Sequence, residues 1–103
     1  MFQKINLINN DFNFAASFSV EGAEYYIRFQ WQDRENAFLI DMGRGEENIL
    51  LSGVPALVGV ELNKGITDII PGTLFLDSID PKIEKPDFNQ LGEQVNLYHY
   101  IDD

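Results

Sequence analysis

The chain has no cysteine, a single histidine, and only seven lysine and arginine residues against seventeen aspartates and glutamates. Without cysteine there is neither a disulfide framework nor a thiolate metal site, as expected of a protein made and kept without oxidative cross-linking. With one imidazole, His99, a metal site of paired histidines is excluded, and a Ser-His-Asp triad would have to use that residue. The formal net charge of -10 at pH 7 argues against nucleic-acid backbone binding, which needs a basic surface to displace counterions. It favours partners rich in lysine or arginine instead. No apolar run approaches the ~18 residues of a membrane span, and Met1-Phe2-Gln3-Lys4-Ile5 lacks the charged and then apolar segments of a secretion signal. The expectation is a soluble protein, cytoplasmic when synthesised. No ten-residue stretch has a helical period, and internal repeats and low-complexity tracts are missing too.

What is present is apolar and aromatic. Hydrophobic residues make up 45% of the chain, far from a disordered composition, so its acidity belongs on the surface of a packed fold. The 103 residues suffice for one domain, 1–103, with a single core of two β layers. Tyr25, Ile27, Phe29 and Trp31 alternate with Tyr26, Arg28, Gln30 and Gln32, the period of a half-buried strand. After the polar turn Asp33-Arg34-Glu35-Asn36 the alternation resumes with Phe38, Ile40 and Met42. Upstream, Phe14, Ala16, Phe18 and Val20 alternate with Ala15, Ser17 and Ser19 and lead into Glu21-Gly22. A two-residue hairpin there sets Val20 opposite Ala23, Phe18 opposite Tyr25, Ala16 opposite Ile27 and Phe14 opposite Phe29. The four-residue turn sets Trp31 opposite Phe38, Phe29 opposite Ile40 and Ile27 opposite Met42. Every pair is apolar, and a one-residue slip would destroy the match. The same register places Arg28 opposite Asp41 on the other face, an ion pair whose loss should be mild. Trp31, the largest side chain of the row, is expected to be buried and to be the most damaging truncation in the meander.

The remaining segments are shorter. A strand over 2–8 ends in the turn cluster Asn9-Asn10-Asp11. Residues 43–48 read as a six-residue turn, 49–54 as a strand cut by Ser52-Gly53 and stopped by Pro55, and 56–62 as another apolar piece. Residues 66–70 read as extended, 73–79 and 95–101 as strands, and 80–93 as a surface loop anchored by Ile83, Phe88 and Leu91, with one helical turn near 87–90. The fold class is therefore all-β, a small antiparallel sandwich or partly open barrel built on a three-stranded meander.

Reactive chemistry is scarce. His99 shares its parity with Leu97 and Ile101, as a buried or edge histidine satisfied by a neighbour would. Asp77-Ser78-Ile79-Asp80 has oxygen ligands at loosely calcium-like spacing but lacks the glycine and distal glutamate of a dedicated loop. Asp33, Glu35, Glu46 and Glu47 fall in turns, where solvation rather than catalysis is the rule. Neither Gly43-Arg44-Gly45 nor the stretch from Gly53 to Gly59 leads a strand into a helix, so neither is a phosphate cradle. No catalytic, cofactor-binding or metal residues are assigned. Tyr25, Tyr26, Trp31, Tyr98 and Tyr100 could supply stacking platforms for sugars, and the scattered carboxylates could imitate DNA phosphates, although mimics need a denser array.

Four segments in order resemble the small baseplate plug proteins of contractile-tailed bacteriophages. They are Phe29-Gln30-Trp31-Gln32-Asp33-Arg34 with Ala37-Phe38-Leu39-Ile40-Asp41, then Leu51-Ser52-Gly53 with Leu57-Val58-Gly59-Val60, then Pro71-Gly72-Thr73-Leu74-Phe75-Leu76-Asp77, and last Leu91-Gly92-Glu93-Gln94-Val95-Asn96-Leu97-Tyr98. Where that family often has proline in the bend near residue 58, this chain has Val58, and its proline is Pro55. The resemblance implies a compact β domain without enzymatic activity or cofactor, located in the virion tail baseplate of a phage or prophage after passage through the host cytoplasm. It further implies several copies at the end of the tail tube, with hub, spike or tail-tube proteins as partners and neither nucleic acid nor membrane. The alternatives are a β-sandwich binding module for carbohydrate or protein, and an acidic inhibitor that mimics DNA.

Overall fold

The computed structural model describes residues 1–7, 13–87 and 89–102. Its strands are β1 (Phe2–Ile5), β2 (Asn13–Val20), β3 (Ala23–Gln32), β4 (Ala37–Gly45), β5 (Asn48–Pro55), β6 (Thr73–Ser78) and β7 (Val95–Tyr100). They form two antiparallel sheets, one in the order β2-β3-β4-β5 and the other β1-β7-β6. The sheets do not close into a barrel, so of the two expected all-β forms the sandwich is the one adopted. Among the described residues there is no helix.

The meander has the register its alternation predicts. Val20 pairs with Ala23, Phe18 with Tyr25, Ala16 with Ile27 and Phe14 with Phe29. Trp31 pairs with Phe38, Phe29 with Ile40 and Ile27 with Met42. Glu21 and Gly22 both take positive φ, 52° and 84°, the mirror-image turn whose twist matches that of the flanking strands. One face of the meander thus buries Phe18, Ile27, Phe29, Phe38, Ile40 and Met42. The second sheet supplies Ile5, Leu74, Leu76, Val95 and Leu97 to the same cluster. Each such side chain contributes roughly 1.5–3 kcal/mol on burial, so the core lies between the two inner rows.

Three segments differ from the sequence expectation. Residues 43–48 are not an open turn: β4 continues to Gly45, β5 starts at Asn48, and only Glu46 and Glu47 lie between. Gly43 makes this possible, because a Cβ there would stand 2.1 Å from the Asn48 carbonyl oxygen. Residues 66–70 are coiled rather than extended. The Ile66 carbonyl accepts from the Ile69 and Ile70 N–H groups, both at 2.9 Å, and this turn buries Ile66 and Ile70 together. The apolar piece 56–62 lies along β6, with Val58 bridged to Leu76 and the Leu62 N–H donating to the Leu74 carbonyl at 2.8 Å. The strands expected over 2–8, 73–79 and 95–101 end at Ile5, Ser78 and Tyr100. Within 80–93, Leu91 is buried and Ile83 packs against the core, and the Gln90 N–H donates to the Asp87 carbonyl at 3.1 Å in the expected single turn. The Asn9-Asn10-Asp11 turn and the Phe88 anchor fall outside the described residues.

Candidate functional site

His99 has the inward parity expected of it, at the centre of a sheet rather than its edge. It lies on β7, between β1 and β6, with no exposed surface. Its Nε2 is 2.7 Å from the Pro71 carbonyl oxygen, which accepts, so Nε2 carries the proton. Nδ1 is buried without a partner, and the ring packs on Phe18 with centroids 6.2 Å apart. Among the described residues no hydroxyl or carboxylate hydrogen-bonds to this imidazole.

The carboxylates are engaged locally or dispersed. Asp77 Oδ1 accepts from the Ser78 N–H and Asp80 Oδ1 from the Lys82 N–H, at 3.0 and 2.9 Å. The oxygen-bearing side chains of the calcium-like tetrad thus each accept a backbone N–H of their own turn. Among the described residues no three histidine, aspartate or glutamate side chains converge in a metal-binding group. Glu21, Glu46 and Glu47 occupy hairpin tips at one end of the meander, and Asp33 and Glu35 the tip at the other. Asp41 is nearly buried on the outer face of the four-stranded sheet. Its Oδ2 accepts from Arg28 at 3.1 and 2.7 Å, and its Oδ1 accepts the Gly53 N–H at 3.0 Å. The hydrogen bonds from Arg28 to Asp41 hold the guanidinium above its ordinary pKa.

The aromatic residues do not form one platform. Tyr25 is in the core, Tyr26 is on the outer face of the four-stranded sheet, and Tyr98 and Tyr100 are on the outer face of the other. Trp31 is only half-buried, which corrects the expectation that it would be a core residue. The indole packs on the rim of the core, leaning edge-on against Phe38 at 5.0 Å and donating from Nε1 to Asp33 Oδ1 at 2.8 Å. It borders a shallow, open depression of about 670 Å³ with Gln32, Asp33, Arg34, Glu35 and Leu39. A surface grouping of three aromatic rings was not foreseen. Phe2, 58% exposed, stacks on Tyr98 at 5.2 Å, and Phe75 stacks on the same ring at 5.7 Å. Its only sequence signal was the shared parity of Phe75, Tyr98 and Phe2 on three strands whose pairing the sequence did not reveal.

Asn63 was also missed as more than a turn residue. Fully buried, it donates from Nδ2 to the Ile70 and Gly72 carbonyls at 2.9 and 3.0 Å and accepts the Leu74 N–H on Oδ1 at 3.0 Å. It thereby ties the 66–70 turn to the start of β6.

No curated protein matches the sequence. The family model described as cyanophage baseplate Pam3 plug gp18 matches residues 2–102, nearly the whole length, and on that match the chain belongs to the phage baseplate plug family.

Proposed function

We propose that the chain is a single-domain, non-enzymatic plug at the end of the tail tube of a phage or prophage, present in more than one copy and in contact with hub, spike or tail-tube proteins. The family match over residues 2–102 carries this reading. The fold supports it: rigid sheets, exposed strand edges and an aromatic outer face suit assembly, and the one histidine is enclosed in the core. The protein passes through the host cytoplasm before it joins the tail. Mass spectrometry of tails purified from an induced host tests this. The chain should be found in stoichiometric amounts with hub and tube proteins, and disruption of its coding region should yield tails with incomplete baseplates. Absence from purified tails, with normal particles after disruption, would overturn the reading.

A further inference from the structure

The four sheet edges are not treated alike. Edge N–H and C=O groups are a template for another strand, and soluble proteins blunt them by shortness, bulges, proline, charge or a covering loop. β1 has only four residues. β6 is covered by the 56–62 loop, whose Gly59 and Leu62 N–H groups donate to the Leu76 and Leu74 carbonyls. β5 is interrupted by register shifts, turned by Gly53 at φ 73° and ended by Pro55. Among the described residues β2 shows none of these devices from Asn13 to Ser17. It pairs with β3 without a break from Asn13 to Val20, and contains no proline, glycine or charged side chain.

Its outward groups can be assigned. Val20 and Ala23 close the two-residue hairpin, so alternate pairs exchange backbone bonds and the intervening residues point theirs away from β3. Those are Asn13, Ala15, Ser17 and Ser19. The Ser19 carbonyl is indeed met from outside the sheet, by Gln3 Nε2 at 2.9 Å. Among the described residues no hydrogen bond reaches the outward backbone groups of Asn13, Ala15 or Ser17.

We propose that this edge pairs with β2 of a second copy, antiparallel about a two-fold axis at Ala16, joining two four-stranded sheets into one. Resting on the reading of the chain as an assembly protein, it names the surface and the occupant. Pairing about Ala16 sets Ala15 opposite the partner's Ser17 and Phe14 opposite the partner's Phe18. The strand matches its own reverse, apolar against apolar on the inner face and small against small on the outer. Charge selects a copy over a foreign basic strand. Two chains of net charge -10 approach best where no carboxylate stands. Behind this seam Tyr26 and Gln30 are uncharged, and Arg28 is held by Asp41 at 2.7 Å. Glu24 stands opposite Ser19, towards one end of the strand, so the two copies' Glu24 residues lie at opposite ends of the seam. An edge without carboxylates offers little to attract lysine or arginine.

Sedimentation velocity of the full chain over a concentration series tests the pairing, alongside Ser17→Pro, Ala15→Lys and Leu50→Lys. Ser17→Pro removes an outward N–H that β3 does not use, and Ala15→Lys adds a charge at an exposed position. Leu50→Lys alters the β5 edge as a control. The parent should dimerise with rising concentration, and Ala15 and Ser17 amide exchange should slow in step. Both β2 variants should remain folded monomers by circular dichroism, and Leu50→Lys should still dimerise. A parent that is monomeric at every concentration, or a dimer that survives in a folded β2 variant, would overturn the proposal. If that monomer still joins purified tail proteins, only the edge pairing fails and the structural reading stands.

Discussion

At the residue scale, ring size does not rank the aromatic positions; enclosure does. Phe29 and Phe38 have no exposed surface, and Phe29 lies between Phe14, stacked at 5.0 Å, and the edge of Phe38 at 6.2 Å. Phe29→Ala should cost about 3–5 kcal/mol. Trp31→Ala should cost clearly less, because part of its surface already faces water. Urea denaturation followed by far-UV circular dichroism gives the order, and a larger loss at Trp31 would return the indole to the core. Asn63→Ala should cost about 2 kcal/mol or more, since it strands two carbonyls and one N–H that are otherwise satisfied. Arg28→Ala should remain mild and Asp41→Ala should be worse, because Asp41 also holds the Gly53 N–H. Trp31 was misjudged from sequence because alternation tells which face a side chain takes, not how completely that face is covered at each position. Asn63 was illegible for a related reason: a buried asparagine bridging two loops has the same local signature as an exposed turn asparagine.

At the element scale, the meander was readable because two short turns convert alternation directly into register. The tip at Glu21-Gly22 still contains a compromise, a glutamate at φ 52°. Glu21→Asn should raise stability by up to about 1 kcal/mol, since asparagine adopts that conformation more readily and suits this turn. An unchanged or lower melting temperature would count against it. Gly43→Ala should act in the opposite direction, by roughly 1–3 kcal/mol, because the added methyl meets the Asn48 carbonyl oxygen and one strand has to shift. This close approach is also why the β4–β5 hairpin could not be read. A glycine chosen for contact with a neighbouring strand looks like one chosen for a turn. The 66–70 turn escaped notice because five residues are too few to display a helical period, and its i,i+4 pair of isoleucines also suits an extended reading. Pairing of β1 and β6 with β7 joins distant segments, and nothing local encodes it.

At the scale of the whole molecule, the charge of -10 governs how copies and partners meet. Like-charge repulsion opposes self-association at low ionic strength and screening relieves it, so light scattering should show the homo-oligomer strengthening as salt rises. A complex with a basic tail protein should weaken over the same series. Opposite trends would mean that the acidic surface is not what the contacts have to accommodate. The central claim, that this β-sandwich is a structural part of the baseplate, is tested most directly by electron cryomicroscopy of the intact tail. The sandwich should fit density at the distal end of the tail tube, in repeated copies contacting the hub or tube. Density there that is fully accounted for by other proteins, with the chain found in no part of the particle, would contradict the claim.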